Sequence, residues 1–103
     1  MLRTTYRGRF APSPTGLLHA GSLATALASW LDAKAVGGIW LIRLEDLDTP
    51  RVKANASEGI LQQLATMGMT SDETIVYQSQ RIPLYQKALH QLNAAELLYT
   101  CSC

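Results

Sequence analysis

The residues best suited to chemistry sit near the start of the sequence, in Gly8-Arg9-Phe10-Ala11-Pro12-Ser13-Pro14-Thr15-Gly16-Leu17-Leu18-His19-Ala20-Gly21-Ser22. The stretch runs from a strand-like segment through a Pro/Gly turn into the start of a helix. In a doubly wound α/β fold such a turn lies at the carboxyl end of its strand, where ligands bind. Unpaired N–H groups at the helix N-terminus, with the positive end of its dipole, favour a phosphate there. His19 can donate to a phosphate oxygen, and Gly21 lets a nucleotide approach the backbone closely. A lone His-x-Gly is more often an ordinary surface histidine on a strand-turn-helix, and Arg9 alone a solvated arginine. The whole string carries the reading. At the other end, Cys101 and Cys103 are separated by one residue, too close for a comfortable disulfide, and read as thiols or metal ligands.

The elements that must hold this stretch follow from periodicity. Tyr6 to Phe10 reads as a strand, broken by the prolines of Ala11 to Gly16. Between about His19 and Val36, Leu23, Leu27, Trp30 and Leu31 recur at helical spacing and predict one apolar helix face, stopped by Gly37-Gly38. The apolar run Ile39 to Leu44, ending in Glu45-Asp46, predicts a strand buried on both faces, as in a parallel sheet. Strand, helix and strand make a βαβ unit. A second helix is expected from Asn55, where Glu58 three residues on resembles a capping box, to a stop before Gly68, burying Ile60, Leu61, Leu64 and Met67. A short apolar piece, Thr74 to Tyr77, precedes a loop at Gln78-Ser79-Gln80-Arg81. A third helix is expected from about Pro83 to Ala95, with Leu84, Tyr85, Ala88, Leu89 and Leu92 on one side. Leu97 to Cys103 reads as a strand leading into a cysteine knuckle. Trp30, Trp40, Tyr85 and Tyr99 are expected to pack in the core, and Asp46 and Asp48 to be loop or helix-capping carboxylates.

Composition bounds the rest. A chain of 103 residues makes one small domain, which buries only about two-thirds of its unfolded surface. Nine Lys and Arg against eight Asp and Glu give a net charge of +1, which excludes the strong basic field of an electrostatic nucleic-acid binder. No apolar run approaches the roughly 20 residues that span a bilayer, and the first residues lack the apolar core of a signal peptide. No membrane partner and a cytoplasmic location are therefore expected.

The signature stretch resembles that of the class I glutamyl-tRNA synthetases, whose HIGH motif often appears in this branch as Pro-Ser-Pro-Thr-Gly-x-x-His-x-Gly-Ser/Thr. The resemblance continues through Gly37-Gly38, Ile42-Arg43-Leu44-Glu45-Asp46-Leu47-Asp48-Thr49-Pro50-Arg51, Tyr77-Gln78-Ser79-Gln80-Arg81 and Tyr99-Thr100-Cys101-Ser102-Cys103. Within the family, Glu-Asp-Leu-Asp, Gly21-Ser22-Leu23 and Trp40-Leu41 look like the shortened branch that activates glutamate without tRNA and transfers it to the queuosine base of tRNA(Asp). An ordinary glutamyl-tRNA synthetase and a catalytically silent binding module stay open as alternatives.

The resemblance implies an α/β fold, the first half of a Rossmann-like parallel-sheet catalytic domain over residues 1–96, with 97–103 opening a zinc-binding insertion. It implies a glutamate-binding set of Arg9, Phe10, Ala11, Pro12, Ser13 and Glu45. A guanidinium fork suits a carboxylate, and opposite charges on adjacent strand ends suit a zwitterionic amino acid. For ATP it implies Pro12, Thr15, Gly16, His19, Gly21 and Ser22, with His19, Gly21 and Ser22 as the catalytic group and Ser22 replacing the second histidine of the general pattern. The glutamate α-carboxylate would attack the ATP α-phosphate, releasing pyrophosphate, with Mg²⁺ bridging phosphate oxygens. Cys101 and Cys103 match half of a zinc site whose other ligands, a tyrosine and a cysteine, would lie downstream. The lysine-rich loop and the second half of the nucleotide fold would also lie beyond Cys103, so the sequence reads as the N-terminal part of a monomeric enzyme, inactive in isolation.

Overall fold

A computed structural model describes residues 4–102. Strand β1 (Arg7–Phe10), helix α1 (Ala20–Ala35), strand β2 (Ile39–Leu44), helix α2 (Ala56–Thr66), strand β3 (Val76–Tyr77) and helix α3 (Ile82–Ala94) follow in order, with a 3₁₀ turn at Gln78–Gln80 before α3. The strands form one parallel sheet in the order β1-β2-β3. This is half of the doubly wound nucleotide-binding arrangement, in which successive strands step outward from the first. The α/β expectation is met.

In the β1–β2 ladder Gly8 faces Trp40 and Phe10 faces Ile42, so these residues share one sheet face. That face is the core: Phe10, Trp40, Ile42 and Leu44 are buried together with Ala26 and Ala33 of α1 and Ile60 and Leu64 of α2. The Phe10 and Trp40 rings stack, 6.4 Å between centroids and 12° from parallel. Arg7, Arg9, Ile39, Leu41 and Arg43 fall on the opposite face. Burial along β2 alternates instead of covering both faces, because the helices that pack on the sheet lie on one side of it.

Helix α1 approaches the sheet through small residues. Ala26 and Ala33 are fully buried, Leu23 and Trp30 pack beside them, and the expected Leu27 and Leu31 are exposed. The helix turns its alanine ridge to the sheet because bulk there would hold it off. A Cβ at Gly8 would sit 3.3 Å from the Ala33 Cβ, and one at Gly38 only 2.6 Å from the Tyr6 carbonyl oxygen.

All three helices close in the same hydrogen-bonded stop. Gly37 and Gly38, Gly68 and Met69, and Glu96 and Leu97 donate back to the last carbonyls of α1, α2 and α3 in the pairing of a Schellman motif. At the second stop, the left-handed Gly68 (φ 78°) reverses the chain and brings Met69 onto Leu64. Met69 is therefore the buried methionine, at 1% exposure, while the expected Met67 stands 48% exposed. The Asn55–Glu58 capping box does not form: Asn55 is left-handed at φ 63° and its side chain makes no cap bond.

The remaining departures lie past β3. Helix α3 has no buried residue, and Leu84, Leu89 and Leu92 are exposed, because no described element packs on its apolar side. Tyr85 is half-buried under the Arg81 guanidinium, and Tyr99 is 92% exposed rather than core. Residues 97–102 are irregular, so the expected terminal strand is absent among the described residues.

Strand β3 has two residues and pairs only with Arg43 and Leu44. Earlier along β2 the ladder is completed by side chains: the Trp40 N–H donates to Asp72 Oδ2 at 2.8 Å and the Ile42 N–H to Ser71 Oγ at 3.2 Å. Asp72 also takes the Lys34 ammonium, and Glu73 takes both ends of the Arg7 guanidinium at 2.8 Å. The Lys34 contact, and then the Trp40 N–H, hold the Asp72 carboxyl below its ordinary 3.8, and Arg7 holds Glu73 below 4.5. The folded state thus favours the carboxylates. Their stabilisation is complete above the ordinary carboxyl range and is lost as pH falls through the lowered folded-state values. We predict a thermal midpoint that drops below about pH 4, and a shallower drop in Asp72→Asn, which retains an acceptor for Trp40 but has no charge to lose; melts from pH 7 to pH 2.5 check it.

Candidate functional site

The turn between β1 and α1 has no regular structure, and its neighbours fix it atom by atom. The Glu45 N–H donates to the Pro12 carbonyl at 2.9 Å, tying the end of β2 to the turn, and the Lys53 N–H donates to the Pro14 carbonyl at 3.1 Å. Pro14 itself is buried. From α2, Gln63 bonds both backbone groups of Leu18, accepting from its N–H at 2.8 Å and donating to its carbonyl at 3.1 Å. Leu17 lies over Gly59, where a Cβ would come within 2.5 Å of its Cδ2.

These anchors shape a cavity of 250 Å³ at the carboxyl end of β1. Of the expected residues it gathers Phe10, Pro12, Ser13, Thr15, Gly16, His19 and Ser22, and it adds Leu17, Leu18 and Thr25. His19 is the residue before α1 and caps it with its ring: Nδ1 accepts from the Ser22 N–H at 3.2 Å, and Nε2 lies 3.1 Å from Ser22 Oγ. A Cβ at Gly21 would stand 3.1 Å from His19 Cε1 and 3.2 Å from Nδ1. Gly21 thus makes room for the imidazole.

Arg9, Ala11 and Glu45 do not line this cavity. The strand register sets Arg9 on the same sheet face as Arg43, beside Leu41. The Arg9 side chain has no hydrogen bond or ion pair within the described residues. Glu45 is half-buried, and its Oε1 accepts from Arg43 Nη2 at 2.6 Å. The other Glu45 oxygen has no such partner among the described residues, so it is open to a cation. Arg43 Nε is buried without a partner. Phe10 is first a core residue, stacked on Trp40, and only its edge of the cavity is in reach of a ligand. Asp46 clasps the 3₁₀ turn through the Ser79 N–H (2.8 Å) and hydroxyl (2.7 Å), and Asp48 pairs with Arg51 at 3.5 Å, both loop roles as expected.

Gln63 and Arg43 were not legible as site residues. A signal for Gln63 was present: it is a polar side chain one helical step from the apolar stripe Ile60 and Leu64, a place where an amide is kept only with partners. A larger groove of 440 Å³ is lined by Gln86, Leu89, His90, Asn93 and Leu98 and receives nothing from the strand ends. Cys101 is exposed and is not a free thiol, contrary to the open pair expected, and Cys103 lies outside the described residues. Among the described residues no group of three or more His, Cys, Asp or Glu is placed to hold a metal ion. Of the zinc ligands that the resemblance implies, the described residues include Cys101 alone.

The profile of the tRNA synthetases class I (E and Q) catalytic domain matches residues 5–103. The chain belongs to this family. It is 62% identical over 98 residues to the glutamyl-Q tRNA(Asp) synthetase of Burkholderia orbicola (strain MC0-3), covering 95% of this chain and 33% of that protein. The protein of the same name from Cupriavidus metallidurans is 60% identical, with 95% and 32% covered. The chain therefore spans about a third of the length of these relatives. Among solved structures, a glutamate tRNA ligase from Elizabethkingia meningosepticum, in complex with its amino acid, superposes with a TM-score of 0.84 at 38% identity, over 88% of this chain and 20% of that one. The match agrees with the α/β fold of a class I catalytic domain.

The His19 cap yields a direct test. His19→Ala leaves the Ser22 N–H without its acceptor and should lower stability by about 1 kcal/mol. His19→Asn, whose carbonyl reaches the same N–H, should stay within a few tenths of the parent; urea midpoints for the two variants separate them.

Proposed function

We propose that this chain forms the substrate-binding start of a cytoplasmic ligase that activates glutamate with ATP and transfers it to the queuosine base of tRNA(Asp). The observation that carries the reading is the convergence at the carboxyl ends of β1 and β2. The cavity bearing His19 and Ser22 lies at the carboxyl end of β1, Arg9 belongs to β1, and Glu45 follows the end of β2 with its N–H on the Pro12 carbonyl. The names of the Burkholderia and Cupriavidus relatives support the queuosine specificity, and the family supports ATP with Mg²⁺.

In this reading the glutamate side-chain carboxylate meets the Arg9 guanidinium, and its ammonium meets the open oxygen of Glu45. Arg43 holds Glu45 from the other oxygen, so the carboxylate is fixed in place and its affinity for a second cation is moderated. Ser13 and the backbone of Ala11 border the amino acid. The ATP phosphates lie towards Pro12, Thr15, Gly16, His19, Gly21 and Ser22, where α1 presents the positive end of its dipole. Attack of the α-carboxylate on the α-phosphate forms glutamyl-adenylate and expels pyrophosphate. The residues present contribute position and charge rather than a covalent step. Mg²⁺ belongs to the ATP as its phosphate bridge, and zinc enters no step. The enzyme acts as a monomer.

The similarity to a glutamate tRNA ligase favours a second reading, an ordinary glutamyl-tRNA synthetase. The full-length protein distinguishes the two. Under the first reading, glutamate-dependent pyrophosphate exchange proceeds without tRNA, and labelled glutamate appears on queuosine-containing tRNA(Asp). A strict requirement for tRNA(Glu) would select the second, and no exchange under either condition would leave a silent binding module. In the active protein, Arg9→Met should raise the glutamate KM by about 10- to 100-fold, the loss of hydrogen bonds to a charged group, with a smaller change in the KM for ATP.

A further inference from the structure

The turn that lines the 250 Å³ cavity is held from two different parts of the fold. Its first half belongs to the sheet: Arg9 lies in the β1–β2 ladder opposite Leu41, and the Pro12 carbonyl takes the Glu45 N–H from the end of β2. Its second half belongs to α2. The Lys53 N–H, ahead of that helix, bonds the Pro14 carbonyl, and Leu17 lies over Gly59, where any side chain would strike it. One helical turn beyond Gly59, on the same side of α2, the Gln63 amide takes both backbone groups of Leu18, at 2.8 and 3.1 Å. A backbone N–H only donates and a carbonyl only accepts, so Oε1 must face the first and Nε2 the second. Among the described residues no backbone group pairs with Leu18. Its N–H and carbonyl belong to successive rigid peptide planes with only φ and ψ of Leu18 between them. One side chain that grips both planes therefore fixes both angles, and the second plane leads directly into His19. The grip is referred to the core, because Ile60 and Leu64, on either side of Gln63 along α2, are fully buried.

We propose that Gln63 is a positioning residue that touches no substrate: its two-bond clamp on Leu18 sets the α1 end of the ligand turn independently of the strand end. The two halves of the site are then tuned by separate elements, the amino acid side by the β1–β2 register and the nucleotide side by α2. Loss of the clamp leaves two half-buried backbone groups unpaired and frees the segment that carries Leu17 and Leu18 into the cavity wall. Small displacements of such a wall weaken binding and alignment of a ligand held there. Arg9, Pro12 and Glu45 keep their own bonds and stay in place. The assignment of the two sides to glutamate and ATP rests on the reading above; the clamp itself does not.

The test uses the full-length protein and two readouts. Amide hydrogen exchange, followed in ¹⁵N-leucine-labelled protein with Leu18 assigned by its loss in Leu18→Met, reports the clamp. Leu18 should be protected in the parent although it lies outside regular structure, and should exchange about tenfold faster in Gln63→Met, which fills the same space without polar atoms. Glutamate-dependent pyrophosphate exchange, under whichever tRNA condition supports it, reports the site. In Gln63→Met the KM for ATP should rise about tenfold while the KM for glutamate stays within about twofold of the parent. Gln63→Glu keeps the acceptor for the Leu18 N–H and loses the donor to its carbonyl, so it should fall between the two. Should Gln63→Met fail to fold, the same split is read in Gln63→Glu. Unchanged Leu18 exchange in Gln63→Met would overturn the clamp. Equal rises in both KM values, or parent values for both, would overturn the division of the site. Gln63-dependent protection of Leu18 in a protein that performs no pyrophosphate exchange would uphold the clamp and overturn the ligase reading instead.

Discussion

The contact on which the structure depends is the close seating of α1 against the β1–β2 pair. It is possible because Gly8, Ala26, Ala33 and Gly38 carry almost no bulk where helix and strands meet. The Tyr6 carbonyl shows how narrow the tolerance is: it accepts the Ile39 N–H at 2.8 Å, and a side chain at Gly38 would begin 2.6 Å from the same oxygen. That one hydrogen bond starts the parallel register. From the register follow the pairing of Arg9 with Leu41 and the arrival of Glu45 beside the Pro12 carbonyl. Slipping the register by one residue would send every side chain of β2 to the other face, exposing Trp40 and burying Arg43. The site is thus a consequence of packing at the far end of the same strands.

Polar side chains finish what the short third strand leaves undone. With β3 reduced to Val76 and Tyr77, the N–H groups of Trp40 and Ile42 would be buried donors without acceptors, a heavy penalty in a sheet. Asp72 and Ser71 supply the acceptors, and Asp46 ties the ends of β2 and β3 through Ser79. The same device recurs at the site, where Gln63 imitates a strand neighbour for Leu18. In each case a side chain stands in for a ladder that a longer strand would have provided. The fold can therefore keep its irregular turn rigid without regular structure in it.

The parts legible in the sequence are those set by period and by punctuation. The apolar run 39–44 announced a strand, Gly37-Gly38 and Gly68 announced helix ends, and the Pro/Gly string announced the break between β1 and α1. Periodicity reports which face of a helix is apolar, not which part of that face meets the core. The leucines of α1 outnumber its buried alanines on the page, yet Ala26 and Ala33 win the contact because the sheet approaches too closely for Leu27 and Leu31. On α3 the pattern was correct and the packing absent, since nothing described lies opposite it. Met67 and Met69 traded places because a left-handed glycine turns the chain back, which no sum of hydrophobicity registers. At the site, the chemistry-bearing residues could be named from the string, while Arg43 and Gln63 could not. Their roles exist only where a strand end or a second helix passes within reach of the turn.

The histidine of the signature shows how a residue read for its ligand chemistry also has a task in the fold. An imidazole beside a helix N-terminus invites the picture of a donor reaching towards phosphate. In this chain the nearest unsatisfied group is the helix's own N–H at Ser22, and a ring nitrogen only 3.2 Å away serves it first. That N–H and the Ser22 hydroxyl both lie within hydrogen-bond distance of the imidazole. Gly21 leaves room for the imidazole in this pose. A three-residue signature of histidine, glycine and serine is therefore one hydrogen-bonded unit.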